Sequence, residues 1–176
     1  MGLTQKRLKE LLRYEPETGH FYWSVVATPN QVKPGRRAGA VRRSGKNAGR
    51  IEIMISGQSF CAHRLAFLYM TGKWPAEQVD HIDGNCGNNR WRNLREANGF
   101  QNMQNIWKPR VTNKVGALGV HQNKWGHFRA QILVGGKRRF IGSFRSKDEA
   151  YAAYLAAKAE LHPFGEIARD TAHGKR

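Results

Sequence analysis

Val79-Asp80-His81-Ile82-Asp83-Gly84-Asn85, continued by Asn88-Asn89-Arg90-Trp91-Arg92-Asn93-Leu94, sets an acid beside an imidazole, then a glycine turn, then a cluster of carboxamides. Apolar residues anchor the run from Gln78 to Ile82, which predicts a strand presenting its polar residues from one end. Asp83-Gly84-Asn85 is a turn signal, because Asp and Asn bond their own backbone and Gly accepts positive φ. Asn93-Leu94-Arg95 predicts a short returning strand, and residues 97–106 predict a helix. The expected unit is a two-stranded ribbon followed by one helix.

That inventory suits phosphodiester hydrolysis, which needs an activated water, charge stabilisation at the phosphate and help for the leaving 3′ oxygen. Asp80 offers a hard oxygen ligand to Mg2+ or Mn2+. His81 is the residue type that exchanges a proton near neutral pH. Its other ring nitrogen needs a holder, which a carboxamide oxygen such as that of Asn93 could supply. A second oxygen ligand from the following helix, Asn102 or Asn105, would complete a small open site, since Mg2+ retains several waters. Asx-rich turns also occur in polar loops without chemistry, and spacing alone does not separate the two readings.

Outward from this stretch the charge changes. The 176 residues hold 30 Lys and Arg against 13 Asp and Glu, a net +17 and a pI near 10.6, which implies a polyanionic partner. Residues 1–50 carry eleven basic side chains against three acidic, residues 51–110 seven against five, and residues 111–176 twelve against five. Asp80 and Asp83 therefore sit between two basic flanks, as a cation site bracketed by phosphate-binding surfaces would. Double-stranded DNA is the expected partner; an RNA-coating structural protein would explain the charge but not the motif. Cys61 and Cys86 form neither a paired metal motif nor a disulfide framework, so structural zinc is not expected. No signal peptide or membrane span is read, and a reducing cytoplasm is expected, the bacterial cytosol or nucleoid.

Upstream, residues 4–13 predict a short amphipathic helix capped by Thr4, with Leu8, Leu11 and Leu12 on one face. Turn residues 14–19 lead to a strand over 20–25. Residues 33–50 read as a basic Gly/Arg loop, with Arg36, Arg37, Arg42, Arg43 and Lys46 as candidate phosphate contacts. Ile51, Ile53 and Ile55 mark a half-buried strand, a second strand passes Phe60, and a helix over 62–70 ends at Gly72. His63 is expected to be structural or DNA-facing. Downstream, residues 108–114 read as a linker. Three antiparallel strands follow, around the 128–134 alternation and the Gly135-Gly136 turn. Ser146 with Glu149 then opens a helix from Lys147 to about Leu161.

The central residues, with His63-Arg64-Leu65-Ala66, Thr71-Gly72-Lys73-Trp74-Pro75, Gln101-Asn102 and Asn105, resemble the HNH homing endonucleases of phages and their introns over roughly the first 106 residues. The resemblance implies an α+β fold with a ββα-metal core and cleavage or nicking of DNA with one divalent ion, Mg2+ or Mn2+, per active site. It implies His81 as general base, Asn93 orienting it, and Asp80 and Asn102 as metal ligands. Asp80 and Asn102 stand where other branches of that family use histidines.

Gly119-Val120-His121-Gln122-Asn123-Lys124-Trp125-Gly126-His127-Phe128-Arg129-Ala130-Gln131-Ile132, with Phe140-Ile141-Gly142-Ser143-Phe144 and the Ala-rich helix, resembles the APETALA-like domain of plant ethylene-response factors. That family lays a three-stranded sheet in the major groove. The resemblance implies DNA contacts from His121, Asn123, Trp125, Arg129, Gln131, Arg138 and Phe140. His121, Asn123 and Leu133 depart from the family's arginines, so the sequence it reads does not carry over. For Trp125 and Phe140 the alternative is that they cap a core.

The expected organisation is an N-terminal α+β DNA-contacting region over 1–60 and a nuclease core over 61–107. A linker over 108–118, a DNA-reading module over 119–165 and a tail over 166–176 complete it. A monomer without an organic cofactor or membrane attachment is expected. One active centre cuts one strand per binding event, which favours nicking. The rival expectation is a non-catalytic DNA-binding regulator on the same scaffold.

Overall fold

A computed structural model describes residues 2–24, 33–45, 47–106 and 108–165; Val25, Lys46 and the tail from residue 166 lie outside them. The chain divides into two compact units, the first of residues 1–81 and 85–97, the second of residues 82–84 and 98–176. Each has a hydrophobic core of its own. Helix and sheet are mixed throughout, in keeping with an α+β class.

The first unit opens with α1 (Gln5–Leu11), where Thr4 Oγ1 accepts from the Arg7 amide at 3.3 Å. The helix stops two residues before the pattern suggests, because Leu12 turns to extended backbone and begins β1 (Leu12–Glu15). β1 pairs antiparallel with β2 (His20–Trp23), and β3 (Arg37–Ala38) joins on the far side of β2. β4 (Ala40–Val41), β5 (Ile51–Ile55) and β6 (Gln58–Cys61) form a second sheet. β3 and β4 lie inside the stretch read as a basic loop; two residues are too few for an alternation to register. Between β5 and β6, Ser56 and Gly57 both take positive φ, 48° and 80°, the two-residue turn whose twist matches a hairpin.

α2 (Ala62–Thr71) ends on Gly72 in the left-handed conformation, as expected. Its inner face, with Leu65, Ala66 and Leu68, meets Leu8, Leu12, Phe21 and Ile53 in one core. Arg64 ties the connection beyond α2, donating to the carbonyls of Glu77 and Pro75 at 3.0 and 3.5 Å. That connection delivers β7 (Gln78–His81) antiparallel to β8 (Leu94–Ala97), in a register that sets Asp80 opposite Arg95 and His81 opposite Leu94.

The second unit begins at α3 (Gly99–Gln104), closed at its start by a full capping box between Asn98 and Gln101. The spacing of Asn98 and Gln101 is the signature of this box, and the helix is shorter at both ends than expected. β9 (Val120–Gln122), β10 (Phe128–Val134) and β11 (Lys137–Phe144) form an antiparallel sheet with β10 central. α4 (Lys147–Leu161) packs on it, its cap Ser146 accepting from Glu149 N at 3.1 Å. Val120, Ala130, Ile132, Ala150 and Tyr154 make the core. Gly119 is required there: its φ is +73° and a Cβ would fall 2.1 Å from the Tyr154 ring. The buried stripe of α4 is Ala150, Tyr154 and Lys158, so a lysine occupies the third place in an apolar row.

Candidate active site and nucleic-acid interface

β7 ends in two adjacent buried polar residues, Asp80 and His81, 5% and 6% exposed. Such burial is costly unless each group is bonded. The carboxylate is held across the hairpin, where Arg95 Nε and Nη2 both donate to Asp80 Oδ2, at 3.1 and 2.9 Å. The pairing register alone produces this contact.

His81 Nε2 lies 2.9 Å from Asn89 Oδ1. In this pair the carboxamide oxygen accepts, so Nε2 is the donor and Nδ1 is the nitrogen able to take up a proton. His63 packs edge-on against His81, ring centroids 5.1 Å apart and planes 72° apart. Burial, then the charges of His81, Arg50 and Arg64, push the His63 pKa down to about 3, so it is a neutral wall. Among the described residues its Nδ1 has no hydrogen-bond partner, and neither has Asn89 Nδ2.

Asn89 is fixed from outside its own loop. Its carbonyl accepts from the Tyr14 hydroxyl at 2.6 Å, and burial raises the Tyr14 pKa, keeping that hydroxyl a donor. Next to it, Arg90 Nε donates to Glu17 O and Trp91 N to Pro16 O, both at 2.9 Å. Gly19 approaches so closely that a Cβ would lie 2.3 Å from the Asn89 carbonyl carbon. The β1–β2 turn is thus the floor of the carboxamide loop. Asn93, the expected holder of His81, donates from Nδ2 to Asn88 O at 2.8 Å, bracing the residue next to Asn89. Sequence reasoning missed Asn89 and Arg95. One of several carboxamides in a run gives no signal of its own, and Arg95 declares itself only through register.

Asn102 lies on α3, in the second unit, where its backbone carbonyl accepts from Asn105 N at 3.2 Å. A carboxylate and a carboxamide are hard oxygen donors, the chemistry Mg2+ or Mn2+ takes, so Asp80 and Asn102 fit such an ion by type. Among the described residues, no three His, Cys, Asp or Glu side chains gather as a metal-binding group.

The β9–β11 sheet turns Ala130 and Ile132 toward α4. On its other face the pairing sets His121 beside Arg129, Gln131 beside Phe140, and Leu133 beside Arg138. Phe140 is 59% exposed with the Arg129 guanidinium 5.1 Å over its ring, and Trp125 is 71% exposed beneath Lys124 Nζ at 4.5 Å. Neither ring caps a core. Asn123 stands at the β9–β10 turn, its Oδ1 accepting from Trp125 N and His127 N, both at 3.0 Å. In the first unit Arg36, Arg37, Arg42 and Arg43 are all exposed, and Arg42 reaches Glu52 at 3.5 Å. No described helix is long and apolar enough to cross a membrane.

Residues 60–104 match the family model described as HNH endonuclease. The chain is 34% identical over 108 residues to an uncharacterized HNH endonuclease of Acanthamoeba polyphaga mimivirus, covering 60% of this chain and 54% of that one. It is also similar to two Arabidopsis thaliana transcription factors named for AP2/ERF and B3 domains. One is 40% identical over 57 residues, 32% of this chain and 16% of the factor, and the other 46% over 46 residues, 26% and 14%. The chain thus spans about half, or far less, of the length of the curated relatives it matches. No solved structure matches.

Proposed function

We propose that the protein is a DNA endonuclease that hydrolyses phosphodiester bonds with one divalent ion, Mg2+ or Mn2+, per active centre, a homing-type enzyme of phage kind that nicks at a directed site. The observation that carries this reading is the buried Asp80–His81 pair at the end of β7, its imidazole bonded through Nε2 to Asn89. The match of residues 60–104 to the HNH endonuclease model supports it.

His81 Nδ1 takes a proton from the attacking water. The water oxygen bonds to phosphorus as the bond to the 3′ oxygen breaks, leaving a 5′-phosphate and a 3′-hydroxyl that takes its proton from solvent. Asn89 keeps Nδ1 the basic nitrogen by accepting from Nε2, and Asn93 braces the loop that carries Asn89. A divalent ion held by Asp80 and Asn102 would stabilise the charge developing on the phosphate. Arg36, Arg37, Arg42 and Arg43 contact the DNA backbone, and the outer face of β9–β11, with His121, Arg129, Gln131 and Arg138 flanked by Asn123 and Trp125, reads the duplex.

Supercoiled plasmid carrying candidate sites, incubated with the purified protein and Mg2+, tests this. Wild type should convert it to open circles, EDTA should stop the conversion, and His81→Ala should bind without cutting. Equal conversion by wild type and His81→Ala sinks the proposal. Binding without cutting by wild type points instead to a DNA-binding regulator.

A further inference from the structure

Lys158 is 1% exposed, in the middle of an apolar row on α4, where a lysine has no place on packing grounds. Its Nζ donates to Gln104 O at 2.6 Å and to Ile106 O at 2.9 Å. These carbonyls lie at the end of α3, where a helix has no acceptors' partners of its own. The same end is gripped twice more. Phe164 N donates to Gln104 Oε1 at 3.2 Å, and Gly165 passes so near that a Cβ would lie 2.5 Å from Gln104 O. Beyond it Asn105, the helix's C-cap, reaches Ile82 O through Nδ2 at 3.4 Å, and Ile82 is bonded directly to His81.

α3 falls within the stretch that matches the HNH endonuclease model, while α4 lies far outside it. Yet α3 buries none of its own side chains. A six-residue helix with no buried face is not stable by propensity and must be held by its ends. The capping box holds the first end, and the segment from α4 to Gly165 holds the last.

We infer that the C-terminal module is part of the nuclease scaffold rather than a separable reader, and that Lys158 is the positioning residue that fixes α3, and with it Asn102, for cleavage. The functional half of this inference rests on the endonuclease reading above. Residues 108–118 then loop between two parts of one unit instead of tethering two independent domains.

The test compares full-length wild type with Lys158→Met, which keeps the apolar stem and removes the donor, and with Gln104→Ala, which removes only the Phe164 tie and stands in if Lys158→Met fails to fold. Hydrogen exchange over residues 99–106 should accelerate on the order of tenfold to a hundredfold in Lys158→Met, as expected for a lost strong hydrogen bond pair, with β10 still protected. Gln104→Ala should show a smaller acceleration in the same peptide. Metal-free binding to duplex DNA should be unchanged, whereas nicking should need about tenfold more Mg2+ for half its maximal rate, the cost of a misplaced ligand. Unchanged exchange over 99–106 in both variants overturns the inference. So does faster exchange with an unaltered Mg2+ requirement. If wild type never cuts, the endonuclease reading falls, while the exchange result still decides whether Lys158 holds α3.

Discussion

Asn89 Oδ1 faces His81 Nε2 at 2.9 Å, and both side chains are almost wholly buried. The imidazole is therefore held from the carboxamide loop, and the loop from the β1–β2 turn. Asn89→Ala should lower kcat by about 100-fold, the low end of what a positioned general base contributes, with KM nearly unchanged. Asn89→Asp, which keeps an acceptor facing Nε2, should retain more of the rate than the alanine variant. Steady-state nicking assays on both separate the two, and an alanine variant that cuts at the wild-type rate removes Asn89 from the mechanism.

Asp80 and Arg95 face each other across β7 and β8 with side chains 6% and 15% exposed. Removing one partner of so buried a pair leaves the other charge uncompensated, which costs about 3 kcal/mol. Arg95→Leu should lose about that much stability in urea melts run with EDTA. Millimolar Mg2+ should restore part of the loss, because a cation at Asp80 takes over the neutralisation. If Mg2+ shifts wild type and Arg95→Leu equally, Asp80 is not a ligand.

His63 carries the pH signature of the fold. Its pKa is about 3 when folded and near the ordinary 6.5 when unfolded, so below 6.5 the unfolded chain binds a proton that the native chain refuses. Stability contributed by neutral His63 is present above 6.5 and is lost as pH falls toward 3, by about 1.4 kcal/mol per pH unit. His63→Leu should flatten the melt-derived stability curve by roughly that slope between pH 6 and 4. A variant with the wild-type slope would show that His63 titrates normally.

What the sequence disclosed and withheld follows from the range of each interaction. Local signals were legible: the Thr4 and Ser146 caps, Gly72, the Gly135-Gly136 turn, and the alternation of β5 and β10. So were the adjacent Asp80 and His81, since they need no partner to be noticed. Asn89, Arg95 and Lys158 were not. Asn89 is chosen over its neighbours by a turn 70 residues earlier in the chain, through Tyr14 and Gly19. Lys158 reads as an ordinary charged helix residue until carbonyls some 50 positions away bury it. Periodicity reports which face of an element is apolar, and it is silent about which polar group that face must satisfy.

The outer face of β9–β11 supplies the last prediction. Trp125 and Phe140 are more exposed than covered, and Arg129 lies over the Phe140 ring. Replacing side chains that support no core should change stability by less than about 0.5 kcal/mol. Trp125→Ala and Phe140→Ala should accordingly melt like wild type while binding duplex DNA more weakly. Arg129→Ala should weaken binding by roughly 1–3 kcal/mol and relax the sequence preference, as loss of an arginine that reads a base edge does. Affinity that holds while melting falls would return both rings to a structural role, and would leave the duplex to be gripped by the arginines of the first unit alone.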